Sequence, residues 1–284
     1  AQENQLVFVV GLLHIHRPTV GTSQFQTTWN HDPNTGAITS VWRGEVGTVD
    51  EEHVNGFKDI ADLRTDELMR AAKHLGLKNV FFLGYRDSGM PGMEDNQHPE
   101  AQINHPIDEV AGRIVKYIRE LKPDVVLTLD PTGGYNHPDH IHIHQATLLA
   151  FEKADDPTFY PEAGSPFKPP ALYYQVFPRA FLKWMTRLMT LTGKDPTKWG
   201  RNGDINLKEL AEVEFPVHVR LDIRSVSEIK RLAGAQHASQ GGVGMRRGLI
   251  GFVSRVFGEK EDYMRAYPPV DGKFRRKHDL FDGL

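Results

Sequence analysis

His137, His140 and His144 are spaced three and four apart, and Asp139 lies between the first two. On a helix that spacing puts the three imidazoles on one face and sends His142 elsewhere. Neutral imidazoles grouped with a carboxylate are the donor set of a borderline cation such as Zn²⁺. A lone histidine at a helix start is ordinarily a solvated polar residue. The grouping here argues for chemistry instead.

The elements around the cluster strengthen that reading. Val125-Val-Leu-Thr-Leu129 is an apolar run that reads as a buried strand, and it stops in the Gly-rich turn Asp130-Pro-Thr-Gly-Gly-Tyr135 just before a helix opens at Pro138. Polar residues are thereby placed at the carboxyl end of a strand, where open α/β sheets bind ligands. Upstream, Leu6–Val10 and Ala37–Trp42 read as strands, and residues 61–75 as a helix with Leu68, Ala72 and Leu75 on one face and Gly76 just past its end. Asn79–Leu83 is a third strand, and the spacing of Ile107, Val110, Ile114, Ile118 and Leu121 predicts a helix that Pro123 stops. This alternation predicts an α/β, Rossmann-like fold: a mostly parallel sheet with helices on both faces, built from residues 1–155 of a single domain.

Residues 156–284 read as a cap with closing strands and helices. A proline-marked loop leads to a strand at Ala171–Val176. Residues 179–192 are a helix whose Phe181, Trp184, Met185, Leu188 and Met189 suit core or lid packing. Val217, Val219, Leu221 and Ile223 alternate as a half-buried strand, and Ser225-Val-Ser-Glu228 has the form of a capping box.

Composition narrows the function. The formal charge of −3 over 284 residues gives no general attraction to nucleic acid, and the one dense basic run, Lys273-Phe-Arg-Arg-Lys277, reads as a solvated tail. With no cysteine, thiolate ligands, disulfides and a cysteine nucleophile are excluded, so a metal must be held by His, Asp or Glu. No stretch approaches the roughly 18 apolar residues of a membrane span, and the amino terminus lacks the form of a signal peptide. A soluble, cytoplasmic protein is expected, with homo-oligomerisation left open. A nucleotide-binding reading fails because Gly11 opens no Gly-x-Gly-x-x-Gly run.

Arg43-Gly-Glu-Val-Gly47, Gly84-Tyr-Arg-Asp-Ser-Gly-Met90 and Asn136-His-Pro-Asp-His140 together resemble the PIG-L/LmbE-like N-acetylglucosamine deacetylases, in particular the branch of mycothiol biosynthesis and mycothiol-conjugate cleavage. The likeness runs from about Trp42 to about Phe151, and Gln236-His-Ala-Ser-Gln240 is similar to a further stretch of that branch. The resemblance implies Zn²⁺-assisted hydrolysis of an N-acyl group on a glucosaminyl conjugate, a small-molecule substrate. It implies that His140 binds the zinc, that His137 supports the charge of the tetrahedral intermediate, and that Asp139 orients the neighbouring imidazole.

The chain departs from the family at its first motif. Where Ala-His-Pro-Asp-Asp-Glu is expected after the first strand, Leu12-Leu13-His14-Ile15-His16-Arg17 follows Gly11. With a loop one residue longer, His14 takes the place of the ligand histidine. His16 then stands at the position of the base and Arg17 at that of the carboxylate ligand, and a guanidinium cannot bind a cation. His16 or the pair His31-Asp32 are alternative donors. Glu45, near the same sheet edge, is a candidate replacement carboxylate or a contact for sugar hydroxyls. Arg86 and Asp87 after the third strand are candidates for substrate contact or for a pair with each other, and His237 for the cleft wall or a satisfied internal site. A catalytically inactive, carbohydrate-binding or regulatory protein on the same fold is the competing expectation.

Overall fold

The computed structural model describes residues 6–10, 36–40, 43–177, 179–200, 203–240 and 260–284; the side chains of 6–10, 36–40 and 181 are outside that description. His14, His16, Arg17, His31 and Asp32 therefore lie outside the described residues, as does nearly all of the altered segment 12–36.

Seven strands form one sheet in a mixed α/β fold: β1 (Leu6–Val10), β2 (Gly36–Ser40), β3 (Asn79–Phe82), β4 (Val125–Leu129), β5 (Ala171–Val176), β6 (Val219–Asp222) and β7 (Lys260–Tyr267). Their spatial order is β3-β2-β1-β4-β5-β7-β6. β3 to β5 in that order pair in parallel, while β7 is antiparallel to both β5 and β6. The chain winds outward one way from β1 through β2 to β3 and the other way from β1 to β4. The strand order thus reverses between β1 and β4, and the crevice beyond their carboxyl ends is where such sheets accept ligands.

All five residues of β4 are buried, as an apolar run in the middle of a sheet requires. Val125, Val126 and Leu127 join Ile114 and Ile118 of helix α3 (Ile107–Leu121) and Ile143, Ala146 and Ala150 of α4 (Pro138–Lys153) in the main core. α1 (Glu51–Val54) precedes α2 (Ile60–His74), which opens with the Asp59 side chain accepting the Asp62 N–H at 2.8 Å and is followed by Gly76 at φ 66°. α3 ends at Lys122, whose φ of 48° breaks the helix one residue before Pro123.

A smaller cluster lies beyond β5. α5 (Arg179–Leu191) turns Leu182 and Met189 onto Leu207 and Leu210 of α6 (Leu207–Leu210), with Tyr135, Met185, Trp199 and Ile205 packed around them. Trp184, expected in that packing, is instead 44% exposed. The apolar residues of this helix cover more than one face, and α6 is short enough to cover only the stripe carrying Leu182 and Met189.

α7 (Ser227–Ala235) also begins differently from its sequence signature. Its N-cap is Val226 with no side-chain capping bond, because Arg224–Val226 already form a 3₁₀ turn and the Ser227 hydroxyl donates back to the Arg224 carbonyl at 2.9 Å. The basic run is mostly exposed but not a free tail. Lys277 donates its N–H to the His218 carbonyl and accepts the Arg220 N–H, both at 2.9 Å, which docks it on the edge of β6. Among the described residues no helix is long and apolar enough to cross a membrane.

Candidate active site

The turn after β4 is organised by Asp130. Its buried carboxylate accepts the N–H of Thr132 at 2.8 Å and that of Gly134 at 3.3 Å, an Asx arrangement that curls residues 130–134 back on themselves. The curl places the Gly133 carbonyl 2.9 Å from Nδ1 of His140, one turn into α4. A carbonyl is only an acceptor, so Nδ1 carries the proton and Nε2 presents its lone pair, the tautomer of a metal-ligating imidazole. Gly133 sits at φ 60°, and a Cβ there would lie 2.5 Å from the His140 Cβ and 2.9 Å from the Ile141 nitrogen. Gly133→Ala is expected to destabilise the fold by about 1–3 kcal/mol, read as a lower urea midpoint, since neither the left-handed backbone nor the contact can relax independently. A midpoint equal to the parent's would show that the turn is not constrained in this way.

His137 is the N-cap residue of α4, with extended backbone (φ −71°, ψ 129°), so its ring leaves the helix axis before the helical spacing begins. Asp139 accepts the Ser88 N–H at 2.8 Å, tying the start of α4 to the segment after β3. That tie brings Asp87 to the histidine. His137 Nε2 is 3.9 Å from Asp87 Oδ1, and its Nδ1 is 3.9 Å from Asp139 Oδ2. The His137 and His140 rings are 4.8 Å apart, with Tyr135 edge-on to both. Asp87, His137 and Asp139 are all buried, and each offers a donor atom within 4.8 Å of the other two, the only such trio among the described residues.

Two buried carboxylates at such separation cannot both ionise freely. Asp139 is pushed from its ordinary 3.8 up to about 8: burial raises it most, the Ser88 N–H pulls it back, and the charge of Asp87 raises it again. In cation-free protein the native Asp139 thus holds a proton that the unfolded chain has released. Its contribution to stability is full below pH 3.8 and is lost as pH rises through about 8. The urea midpoint of chelator-treated protein is expected to fall between about pH 4 and pH 8, with Asp139→Asn removing most of the fall. An equal fall in the variant would place its origin elsewhere.

Other candidates divide. Glu45 is partly buried, accepts the Arg43 N–H at 3.2 Å, and has its carboxyl raised chiefly by burial, with a smaller contribution from the charge of Asp87. Arg86 does not pair with Asp87: its guanidinium meets Asp95 at 2.5 Å, while Asp87 accepts the Gly89 N–H at 2.9 Å. His144 is turned to the core, Nδ1 on the Leu129 carbonyl at 2.8 Å and the ring edge against Tyr174. His142 points away to Gln102, at 3.2 Å. His237 is buried in the turn that follows α7, 3.4 Å from Gln240.

Sequence reasoning missed two residues in this region. Arg64 of α2 is buried and donates to the Gly44 carbonyl, and burial lowers its pKa while Asp87, Glu67 and Glu45 raise it. Glu67, 1% exposed, accepts the N–H and hydroxyl of Ser239 at 2.8 and 2.7 Å, which fastens residues 236–240 to α2. For Arg64 a signal existed: it stands four before Leu68, a charge on the apolar face of its helix.

The PIG-L family model, described as GlcNAc-PI de-N-acetylase, matches residues 27–151. The chain is 34% identical over 257 residues to a 1D-myo-inositol 2-acetamido-2-deoxy-alpha-D-glucopyranoside deacetylase of Rhodococcus erythropolis, covering 87% of this chain and 83% of that one. A protein of the same name from Rhodococcus jostii is 37% identical over 259 residues, 85% of each chain. Another from Streptomyces scabiei is 44% identical, but over 120 residues that span 41% of this chain and 37% of the relative. Among solved structures, N,N'-diacetylchitobiose deacetylase from Pyrococcus horikoshii aligns with TM-score 0.59 at 16% identity, covering 93% of this chain and 84% of that one. GalB, a 4-carboxy-2-hydroxymuconate hydratase from Pseudomonas putida, aligns with TM-score 0.52 at 18% identity, covering 96% and 100%. A deacetylase and a hydratase share the fold, so the fold by itself does not choose the reaction.

Proposed function

The chain belongs to the PIG-L family, and from that premise we propose that it hydrolyses the N-acetyl group of a glucosaminyl conjugate with the help of a divalent cation, zinc by the character of its donors. The observation that carries the reading is the placement of His137 between two carboxylates and beside His140, at the carboxyl end of β4. The relatives named for an inositol glucosaminide supply the substrate class. A cytoplasmic location goes with the proposal.

His140 fits a cation, since the bond from its Nδ1–H to Gly133 fixes the tautomer in which Nε2 is the ligating nitrogen. His14, from outside the described residues, is the second ligand in this reading. A cation so held supplies Lewis-acid polarisation of the acyl carbonyl and a more acidic water. The chain's own groups position the substrate and stabilise the charge that develops on it. The His137 ring has Asp87 on one side and Asp139 on the other, each at 3.9 Å, which suits it to donate to the oxyanion as the carbonyl becomes tetrahedral. Asp139, held by Ser88, fixes the orientation of that ring. Asp87 and Glu45 are the acceptors available to sugar hydroxyls, and Arg86, bound to Asp95, stiffens the segment that carries Asp87.

The absence of a carboxylate from Leu12 to Arg17 favours a second reading, a protein that binds the amino sugar and turns it over little or not at all. Release of free amine from an N-acetylglucosaminyl inositol, with added zinc and with chelator, tests the two. Zinc-dependent release supports the hydrolase. Calorimetric binding of the conjugate with no amine released under either condition replaces it by the second reading.

A further inference from the structure

We propose that α5 docks this protein on the surface of an anionic lipid bilayer. The proposal stands on the part of the helix that α6 leaves uncovered, and it is independent of the deacetylase reading above. By helical spacing Leu182, Met185 and Met189 share one stripe, which packs on α6. Trp184, Leu188 and Leu191 share a second stripe at i, i+4 and i+7. This one is largely open: Trp184 is 44% exposed, Leu191 is 85% exposed and Leu188 is only partly buried.

Cations border the open stripe. Lys183 and Arg187, one turn apart, are exposed along its edge, and exposed Lys194 and Lys198 continue past the end of the helix. None of the four forms an ion pair among the described residues. From Arg179 to Gly203 the sequence carries six cationic residues and one carboxylate, in a chain whose net charge is −3. That carboxylate, Asp195, accepts the N–H of Thr197 at 2.9 Å and its hydroxyl at 2.6 Å. The carboxylates that follow, Asp204, Glu209, Glu212 and Glu214, lie on α6 or beside it in sequence, and α6 packs on the covered stripe. Lys194 and Lys198, with Met189, Asp195, Trp199 and Gly200, line a hollow of about 360 Å³, which has room for a headgroup phosphate.

Charge and shape select the occupant. A second copy of this face would set four cations against four, which opposes self-association. An acidic protein would need a groove cut to a protruding tryptophan and leucine. A lipid surface needs none: indole settles at headgroup level, leucine reaches the acyl boundary and the cations meet phosphates. Each lysine or arginine near an anionic leaflet strengthens attachment about fivefold, so four of them beside an apolar stripe give reversible binding. Lying on a bilayer in this way requires no spanning helix, and among the described residues there is none.

Co-sedimentation of the full chain with vesicles tests the proposal. Binding is expected to phosphatidylcholine vesicles containing about a third phosphatidylglycerol and not to phosphatidylcholine alone, and to weaken as salt shortens the Debye length to about 3 Å near 1 M. Lys183→Gln combined with Arg187→Gln should lower the partition coefficient about 10–30-fold, and Leu191→Ser at least about fivefold. Brominated acyl chains should quench a component of the tryptophan emission that Trp184→Phe removes. All these positions are exposed, and thermal unfolding confirms that each variant is folded. No binding to the mixed vesicles, equal binding to both kinds, or binding unchanged in the double and Leu191 variants overturns the proposal. A concentration-dependent dimer in sedimentation velocity that Leu191→Ser dissolves would assign the face to a second copy instead.

Discussion

His140→Ala is expected to bring amine release from an N-acetylglucosaminyl conjugate to the background rate, whereas His137→Ala is expected to lower kcat by about 10²–10³ and to leave KM within a few-fold of the parent. The difference follows from what each ring can do where it stands. Nδ1 of His140 is fixed on the Gly133 carbonyl at 2.9 Å, which sets its tautomer and aims Nε2 as the ligating nitrogen, whereas the His144 ring is turned into the core against Tyr174 and His142 meets Gln102. His137 holds a different position, off the helix axis and between Asp87 and Asp139, where its value is greatest when negative charge develops on the substrate. An interaction made mainly in the transition state is lost from kcat and not from KM. The zinc concentration that half-activates the residual His137→Ala activity should match the parent's. Equal abolition in the two variants, with equal loss of the activating cation, would show that the roles are wrongly divided.

The parts of this site that were legible in the sequence are those built from consecutive residues. β4, the turn from Asp130 to Tyr135 and the start of α4 form one unbroken signal, because a buried strand, left-handed glycines and a proline at the first helical turn each leave a local mark. The second half of the site has no such mark. Ser88 meets Asp139 across 51 positions of sequence, through a backbone N–H that any residue but proline would offer, and Asp87 is brought to His137 by the same tie. Pairing Arg86 with Asp87 was a fair expectation for neighbours, yet adjacent side chains of an extended segment point to opposite sides, and Arg86 turns to Asp95 instead. Trp184 shows the same limit in a helix, where periodicity says that a face is apolar and only the size of the opposing element says how much of it is covered. The helix after Ser225 starts one residue later than its capping-box pattern predicts, because residues 224–226 already close a 3₁₀ turn.

Rebuilding the segment after β1 should have the largest effect of all, and in the direction of gain. The combined substitutions Leu12→Ala, Leu13→His, His14→Pro, Ile15→Asp, His16→Asp and Arg17→Glu are expected to raise kcat/KM for N-acetyl hydrolysis by about 10²–10⁴, the range a general base contributes, with tighter cation binding adding to it. β1 lies beside β4 in parallel register, Leu6 opposite Val125 and Phe8 opposite Leu127, so the residues that follow the two strands leave the sheet at the same edge. The carboxyl end of β1 is therefore at the sheet edge where the turn carrying His137 and His140 begins, which is the basis for expecting a gain from carboxylates introduced after it. In the present chain that stretch offers two imidazoles and a guanidinium, which add no negative charge to hold a dication and, in the case of Arg17, oppose one. The decisive measurement is on the unmodified protein beside the rebuilt one. Zinc-dependent turnover by the parent at ordinary enzyme rates of roughly 1–10³ per second would show that His14, His16 or a carboxylate such as Glu45 already completes the site, and the view of an impaired first loop would have to be abandoned.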